Sequence, residues 1–222
     1  MDKAGKRFSC TDCALNGCKR VDGQRPPFCP GNDFQLEEQE WLQQRFADPD
    51  NRRVIEAATV SVNTAYFGKL SRLEETLIFA RELGARTIGI ASCVTLAPEA
   101  RAVARMFEAH GFDTVGAICR IGCITYGDLG LENEHCTDQT VLCNPMYQAK
   151  TLNDAHTDLN VAMGLCVGHD ALFVKYSEAL CTVLVAKDFK FDHHPIRALR
   201  ADDPSGELGR LMGELYDIAL RK

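Results

Sequence analysis

Leu159-Asn160-Val161-Ala162-Met163-Gly164-Leu165 runs into Cys166-Val167-Gly168-His169-Asp170, and this passage decides how the chain folds. Its first part is short and almost wholly apolar, which predicts a buried strand over 159–165. Gly168 then opens a helical pattern that reaches Tyr176. A strand that turns straight into a helix is the half-unit of a parallel α/β sheet. Cys166 falls at the carboxyl end of that strand and just ahead of a helix N-terminus. Open α/β sheets bind their ligands at such positions, and a thiol ionises readily there.

The same pattern recurs on either side. Residues 86–92 predict a buried strand ending at Cys93, followed by a helix over 98–110. Residues 114–118 predict a second strand, ending at Cys119, and 181–186 a fourth. Asn144-Pro145 opens a helix to Asn153, a capping residue followed by proline at the first helical position. Strands alternating with helices predict an α/β fold, a small Rossmann-like parallel sheet flanked by helices with right-handed crossovers. The polar connection 122–143 is too long for a simple turn and reads as functional. Upstream, 34–46, 52–66 and 72–83 read as helices that cover one face or edge of the sheet, with Trp41 as a packing residue. Asp50 is the expected cap of the second. Ser71 caps the third, with Glu74 at the capping-box position and Gly84 beyond its end. Pro195-Ile196-Arg197 reads as a turn, and Leu208, Leu211, Met212, Leu215 and Ile218 mark a closing amphipathic helix.

Bulk composition narrows the class. The chain has 222 residues, 45% hydrophobic and 25% charged, enough to bury a core without disulfides or metal. A net charge of -6 argues against a nucleic-acid backbone as partner. No apolar run has membrane-spanning length, and Met1-Asp2-Lys3 leads into polar sequence, so no membrane and a cytoplasmic location are expected. Eleven cysteines in that setting imply reduced thiols and metal ligands, not a disulfide framework. Neither G-x-G-x-x-G at a strand–helix turn nor G-x-x-x-x-G-K-[ST] occurs, which excludes a standard dinucleotide or P-loop enzyme.

The cysteines form two sets. Cys10, Cys13, Cys18 and Cys29 have the spacing C-x2-C-x4-C-x10-C, in a stretch rich in glycine and proline with no periodicity. Such a stretch takes its order from a bound metal. Residues 1–32 thus read as a cysteine-rich metal-binding segment, and 33–222 as an α/β domain. Four thiolates suit tetrahedral zinc or an iron–sulfur cluster. Cys29-Pro30 and the lack of paired C-x2-C knuckles lean toward 4Fe-4S, with zinc as the alternative.

The second set, Cys93, Cys119 and Cys166, would emerge on one edge of a parallel sheet. Three thiolates there could hold a cubane with one iron open as a Lewis acid. His169 and Asp170 are the natural proton donor and orienter. Cys166 could instead be a lone nucleophile with His169 as base. Buried cysteine also behaves as a small hydrophobe, so all three fit a core role. Cys123 rivals Cys119 for the strand-end position, Cys136 and Cys143 could cover the site, and Cys181 belongs to the opposite edge. Asn153, Asp154, Thr157, Asp158 and Asn160 read as caps and turns. His193-His194 and His135 are weak metal candidates.

The cysteine array with Cys29-Pro30, Ala91-Ser92-Cys93, Asn144-Pro145, Thr157-Asp158-Leu159-Asn160 and Gly164-Leu165-Cys166-Val167-Gly168-His169-Asp170 form a recognisable set. Together they resemble an uncharacterised prokaryotic family of cysteine-rich metal-binding proteins, a domain of unknown function common in anaerobes. The resemblance runs from Cys10 to about Pro195 and implies a metal on Cys10, Cys13, Cys18 and Cys29. It supplies no reaction. The expected function is an iron–sulfur protein with a second cluster on Cys93, Cys119 and Cys166. Its chemistry would be that of a reductase or a desulfidase-like lyase on a small molecule. The alternatives are a structural-zinc protein with Cys166 as nucleophile, and a non-enzymatic metal sensor or electron-transfer module serving a redox partner protein. A homo-oligomer is compatible with each.

Overall fold

The computed structural model describes residues 9–62 and 67–199. Backbone contacts divide the chain into two compact units, Met1–Glu56 and Ala57–Lys222. In the first, Cys10–Asp12, Gly17–Lys19 and Pro30–Asn32 are single 3-10 turns, none containing a buried residue. Two helices follow, α1 (Leu36–Ala47) and α2 (Pro49–Val62), the second running on into the other unit. The cap of α2 is Asp48, whose Oδ1 accepts from the amides of Asp50 and Asn51 at 3.0 and 3.2 Å. Asp50, the expected cap, lies in the first turn, because Pro49 already takes the first helical position. Trp41 is not a packing residue: it is 55% exposed, with the Arg45 guanidinium 5.5 Å above its ring.

The second unit carries the sheet. Its elements are α3 (Arg72–Glu82), β1 (Thr87–Ser92), α4 (Ala97–Ala109), β2 (Asp113–Ile118) and α5 (Tyr126–Leu129). They continue as α6 (Pro145–Asp154), β3 (Leu159–Met163), α7 (His169–Tyr176) and β4 (Leu180–Val185). The reciprocal Ser71–Glu74 capping box opens α3, and its hydrogen bonds hold the Glu74 carboxyl below the usual range. The strands are all parallel in the order β2-β1-β3-β4. Ser92 pairs with Ile118 on one side and Met163 on the other, so three strands end at one level. Pro195–Leu199 is a 3-10 helix where a turn was expected. The closing amphipathic helix and the end of the 52–66 helix fall outside the described residues.

On one face, Ala91, Ala117 and Ala162 meet Ala149 and Leu152 of α6 and Phe173 of α7. Alanine on three adjacent strands lets the helices approach closely, and Leu152 and Phe173 are fully buried. Each such side chain contributes roughly 1.5–3 kcal/mol by leaving water. The opposite face is lined by α4, with Ile90 and Ser92 beside Ala97, Ala100 and Ala104. Phe107 packs edge-to-face on Phe112 at 5.5 Å. The outer edge of β4 is blunted by Arg72, whose Nε donates to the Val183 carbonyl at 2.9 Å.

The polar residues ahead of β3 tie the amino end of the sheet together. Asp158 Oδ2 accepts from the amides of Arg86 and Thr87 at 2.8 and 2.9 Å. Asn160, fully buried, is held by Thr157 and Ser177, and its side chain fills the space above Gly89 where a Cβ would sit. Asn153 bonds the Tyr176 carbonyl and the Glu178 amide.

Candidate functional site

In the order β2-β1-β3-β4 the chain departs from β1 to one side and from β3 to the other. The topological switch point therefore lies between β1 and β3, where the carboxyl ends of the strands leave a crevice. Cys93 and Cys166 flank it. Cys93 directly follows β1, its amide bonded to the Met163 carbonyl at 3.0 Å. Cys119 directly follows β2, its amide bonded to Ser92 and its carbonyl to the Asn144 amide. Cys166 follows β3 after Gly164, which has φ 62° and whose missing Cβ would overlap Leu96 Cδ1. Only glycine satisfies both conditions. The turn then closes tightly: the Cys166 carbonyl accepts from the amides of His169 and Asp170 at 2.9 and 3.1 Å.

A residue absent from the sequence reading organises this rim. Lys187 follows β4 much as Cys93 follows β1, and its Nζ donates to Cys93 Sγ at 3.0 Å and to Cys166 Sγ at 3.3 Å. The ammonium also stands 4.8 Å above the Phe189 ring. Thr95 Oγ1 lies 3.1 Å from Cys93 Sγ. Burial pushes the Cys93 thiol up, but the Lys187 and Thr95 hydrogen bonds outweigh it and bring the pKa down to about 7. Burial likewise lowers Lys187, and its bonds to the two thiols outweigh that, leaving it raised. Cys119 behaves oppositely. Burial pushes it up to about 11 against a 3.4 Å donation from the Val94 amide, with Cys143 and Cys93 adding to the rise. Near neutral pH Cys93 thus ionises far more readily than Cys119.

The remaining candidates have definite places. Cys123 is exposed, with φ 51°, in the turn beyond Cys119, so the strand-end position belongs to Cys119. Cys143 ends the long connection and reaches Cys119. Cys136 hydrogen-bonds the Tyr126 hydroxyl, which raises that tyrosine. Cys181 opens β4 and packs against the core cluster, its thiol pushed up by burial. Asp170 Oδ1 accepts from the amides of Gly168 and Ala171, holding the turn. His169 Nδ1 is buried without a hydrogen-bond partner. His193 Nδ1 accepts from the Asp188 amide in the loop after β4, and His135 pairs with Glu134 at the surface. Besides Lys187 and Thr95, the sequence reading lacked Gln148, fully buried, whose Nε2 bonds the carbonyls of Ser92 and Ala117 beneath the rim. Its Oε1 has no partner. The one signal for Lys187 was its place just beyond a strand end.

In the first unit, Cys10, Cys13, Cys18 and Cys29 all line one cavity of about 270 Å³. Its wall is tied by Arg25 Nη1 to the Gly31 carbonyl at 2.7 Å and Asn32 Nδ2 to the Pro26 carbonyl at 2.9 Å. Four thiols facing one space are a donor set for a soft metal. As placed, no three His, Cys, Asp or Glu side chains among the described residues are close enough for a single ion.

A four-stranded parallel sheet with thiols across its switch point, carried with a four-cysteine segment, defines a cysteine-rich α/β protein. The chain belongs to the family described as "Protein of unknown function (DUF1847)", which matches residues 29–184. It is also 31% identical over 169 residues to the uncharacterized protein MJ0455 of Methanocaldococcus jannaschii, 76% of this chain and 86% of that one. The family match takes in Cys29 and every rim cysteine, and starts after Cys10, Cys13 and Cys18. No helix among the described residues is long and apolar enough to cross a membrane.

Proposed function

We propose that this is a metal-dependent thiol redox protein whose chemistry takes place on a small molecule at the carboxyl edge of the sheet. One observation carries the reading: Cys93 and Cys166 flank the switch point and share the Lys187 ammonium. Cys166 is the more exposed of the two, and on this reading it meets the substrate. Asp170 fixes the turn that presents it.

Cys10, Cys13, Cys18 and Cys29 would hold the metal. Zinc draws its thiolates to about 2.3 Å. Cys29-Pro30 and the lack of paired C-x2-C knuckles favour an iron–sulfur cluster over zinc. Such a cluster supplies single electrons when bound. Reduced thiols suit a cytoplasmic setting. The arrival of Cys93, Cys119 and Cys166 on one edge favours a second reading, a further cubane across those three. Against it, the Lys187 ammonium already pairs with two of them.

Iron, zinc and sulfide content of protein prepared without air tests the reading. One cubane's worth of iron and sulfide, lost in Cys10→Ser and kept in Cys166→Ser, is expected. One zinc instead would make the first site structural. Twice the iron, with half lost in Cys166→Ser, would establish the rim cubane. Protein without any metal overturns the metal half of the proposal.

A further inference from the structure

We propose that Cys166 and Cys93, bridged by the Lys187 ammonium, form a redox dithiol that reduces small organic disulfides. This names a substrate class for the rim reading above and rests on it, while needing nothing from the first unit's metal.

Three features of the rim point to a pair with a fixed order of attack. A single ammonium within 3.0 Å of one sulfur and 3.3 Å of the other places both at the ends of neighbouring strands, facing one charge. Any anion formed on either sulfur keeps a partner throughout. Access differs sharply: Cys93 is 4% exposed, while Cys166 is partly open to solvent. An incoming disulfide therefore meets Cys166 first, and access is one of the terms that select the attacking thiol. The backbone differs in the same sense. Cys93 is bonded into the sheet through the Met163 carbonyl, whereas Cys166 sits between Gly164 and Gly168, both with positive φ. The sulfur that has to move is the one on the turn.

Two exposed apolar side chains neighbour the thiol pair. Val167 is 91% exposed next to Cys166, and Phe189 is 68% exposed under the Lys187 ammonium. Those side chains suit the organic arms of a disulfide. Cys119 makes a poorer partner, since burial pushes its thiol up to about 11 and Cys143 and Cys93 add to the rise.

The Cys166 thiolate attacks one sulfur of R–S–S–R, the S–S bond breaks, and RS⁻ leaves and takes a proton from solvent. A mixed disulfide now joins Cys166 to the other RS group. The Cys93 thiolate attacks the Cys166 sulfur, expels the second RS⁻, and closes a Cys93–Cys166 disulfide. The protein dithiol has given up two electrons and two protons, and the substrate has become two thiols.

The test uses the full chain, prepared without air and treated with one equivalent of glutathione disulfide, then alkylated and mapped by peptide mass spectrometry. Wild type is expected to yield a Cys93–Cys166 linked peptide. Cys93→Ser is expected to stall with glutathione on Cys166, and Cys166→Ser to leave Cys93 unmodified on the same timescale. Lys187→Met separates positioning from architecture through its pH profile. Lys187, Thr95 and Cys119 face Cys93, and Lys187 faces Cys166. Removing the ammonium should slow closure of the Cys93–Cys166 disulfide about tenfold at pH 7, the gap narrowing in alkali as Cys93 ionises without it, with Lys187→Arg recovering most of the rate. Glutathione accumulating on Cys123 or another exposed thiol with no Cys93–Cys166 link overturns the proposal, as does a Cys119–Cys143 link. Metal content measured on the same samples keeps the outcomes apart. Exchange without metal removes only the metal half of the proposed function, and metal without exchange removes only this dithiol.

Discussion

The two cysteine-rich regions are built on opposite plans. Around Cys10, Cys13, Cys18 and Cys29 the chain makes only 3-10 turns, buries no residue in them, and leaves Cys10 and Cys18 exposed. At the sheet rim the thiols are placed by strands whose hydrogen bonds and alanine-lined core exist whether or not anything binds. On the proposed reading the first region is a site before it is a structure, and the second is a structure before it is a site. A segment without a core draws its order from a ligand, whose binding energy is then its folding energy. A rim set by a sheet is preorganised, so its ligand need supply little.

The sharpest way to break that contrast is to remove the metal proposed for the first region. Cys29→Ser, or a chelator strong enough to strip the metal, is expected to abolish amide-exchange protection across 9–33. Metal binding in comparable thiolate segments is on the order of 10 kcal/mol, far more than the local turns supply. Amides in β1 and β3 should keep their protection, because their bonds run between strands. Full protection of 9–33 in metal-free protein would show that the segment folds by itself.

The mirror experiment disturbs the sheet and spares the segment. At Gly89 a Cβ would overlap Asn160 Oδ1 and lie 2.8 Å from Leu152 Cδ1. Neither can yield easily, since Asn160 is fully buried in its own hydrogen bonds and Leu152 sits in the core. Gly89→Ala should cost about 3 kcal/mol and lower the sheet's melting temperature by roughly 10 °C, with metal content unchanged. A fall of less than about 2 °C would mean that the approach of Asn160 to β1 is not what holds the amino edge.

The same contrast explains what the sequence could disclose. The sheet was legible because 86–92 and 159–165 are apolar runs too short for helices, each punctuated by a strand-end cysteine. With the strands parallel, the shared edge of Cys93, Cys119 and Cys166 followed from topology. Lys187 stayed hidden because a lysine after a strand is ordinary. Only the folded register shows that it bridges sulfurs 94 and 21 residues away. Asp48 lost to Asp50 as the expected cap although Pro49 marks the first helical position, a local signal that was readable and misread. Trp41 was misjudged from the average burial of tryptophan, which says nothing about one exposed helix face. The space shared by four cysteines in the first unit could be guessed from spacing, but its size could not.

The smallest effect expected is a pH dependence confined to the rim. Cys93 is lowered from 9.0 to about 7 in the folded protein. Between those values the unfolded chain binds more protons, so stability climbs as pH rises from 7 to 9, and below 7 this contribution is gone. Cys119 is raised from 9.0 to about 11, so its contribution runs the other way and stability falls as pH rises from 9 to 11. Lys187, raised by its two thiols, loses its own contribution only at still more alkaline pH and reinforces that fall. The capping carboxylates of Glu74 and Asp128, both lowered, act only in acid and leave this window alone. Together the thiols predict a maximum near pH 9, with a rise from pH 7 on the order of 2 kcal/mol. The single tryptophan, Trp41, lies in the first unit, so fluorescence would follow the wrong region. Urea midpoints are better read from amide exchange in β1 and β3, under reducing conditions. Without the ammonium, only the Thr95 hydrogen bonds oppose burial, the largest influence on Cys93, so Lys187→Met should erase most of the climb between pH 7 and 9. A climb that survives the substitution would mean that the Lys187–thiol contact is not what separates the rim from the first region.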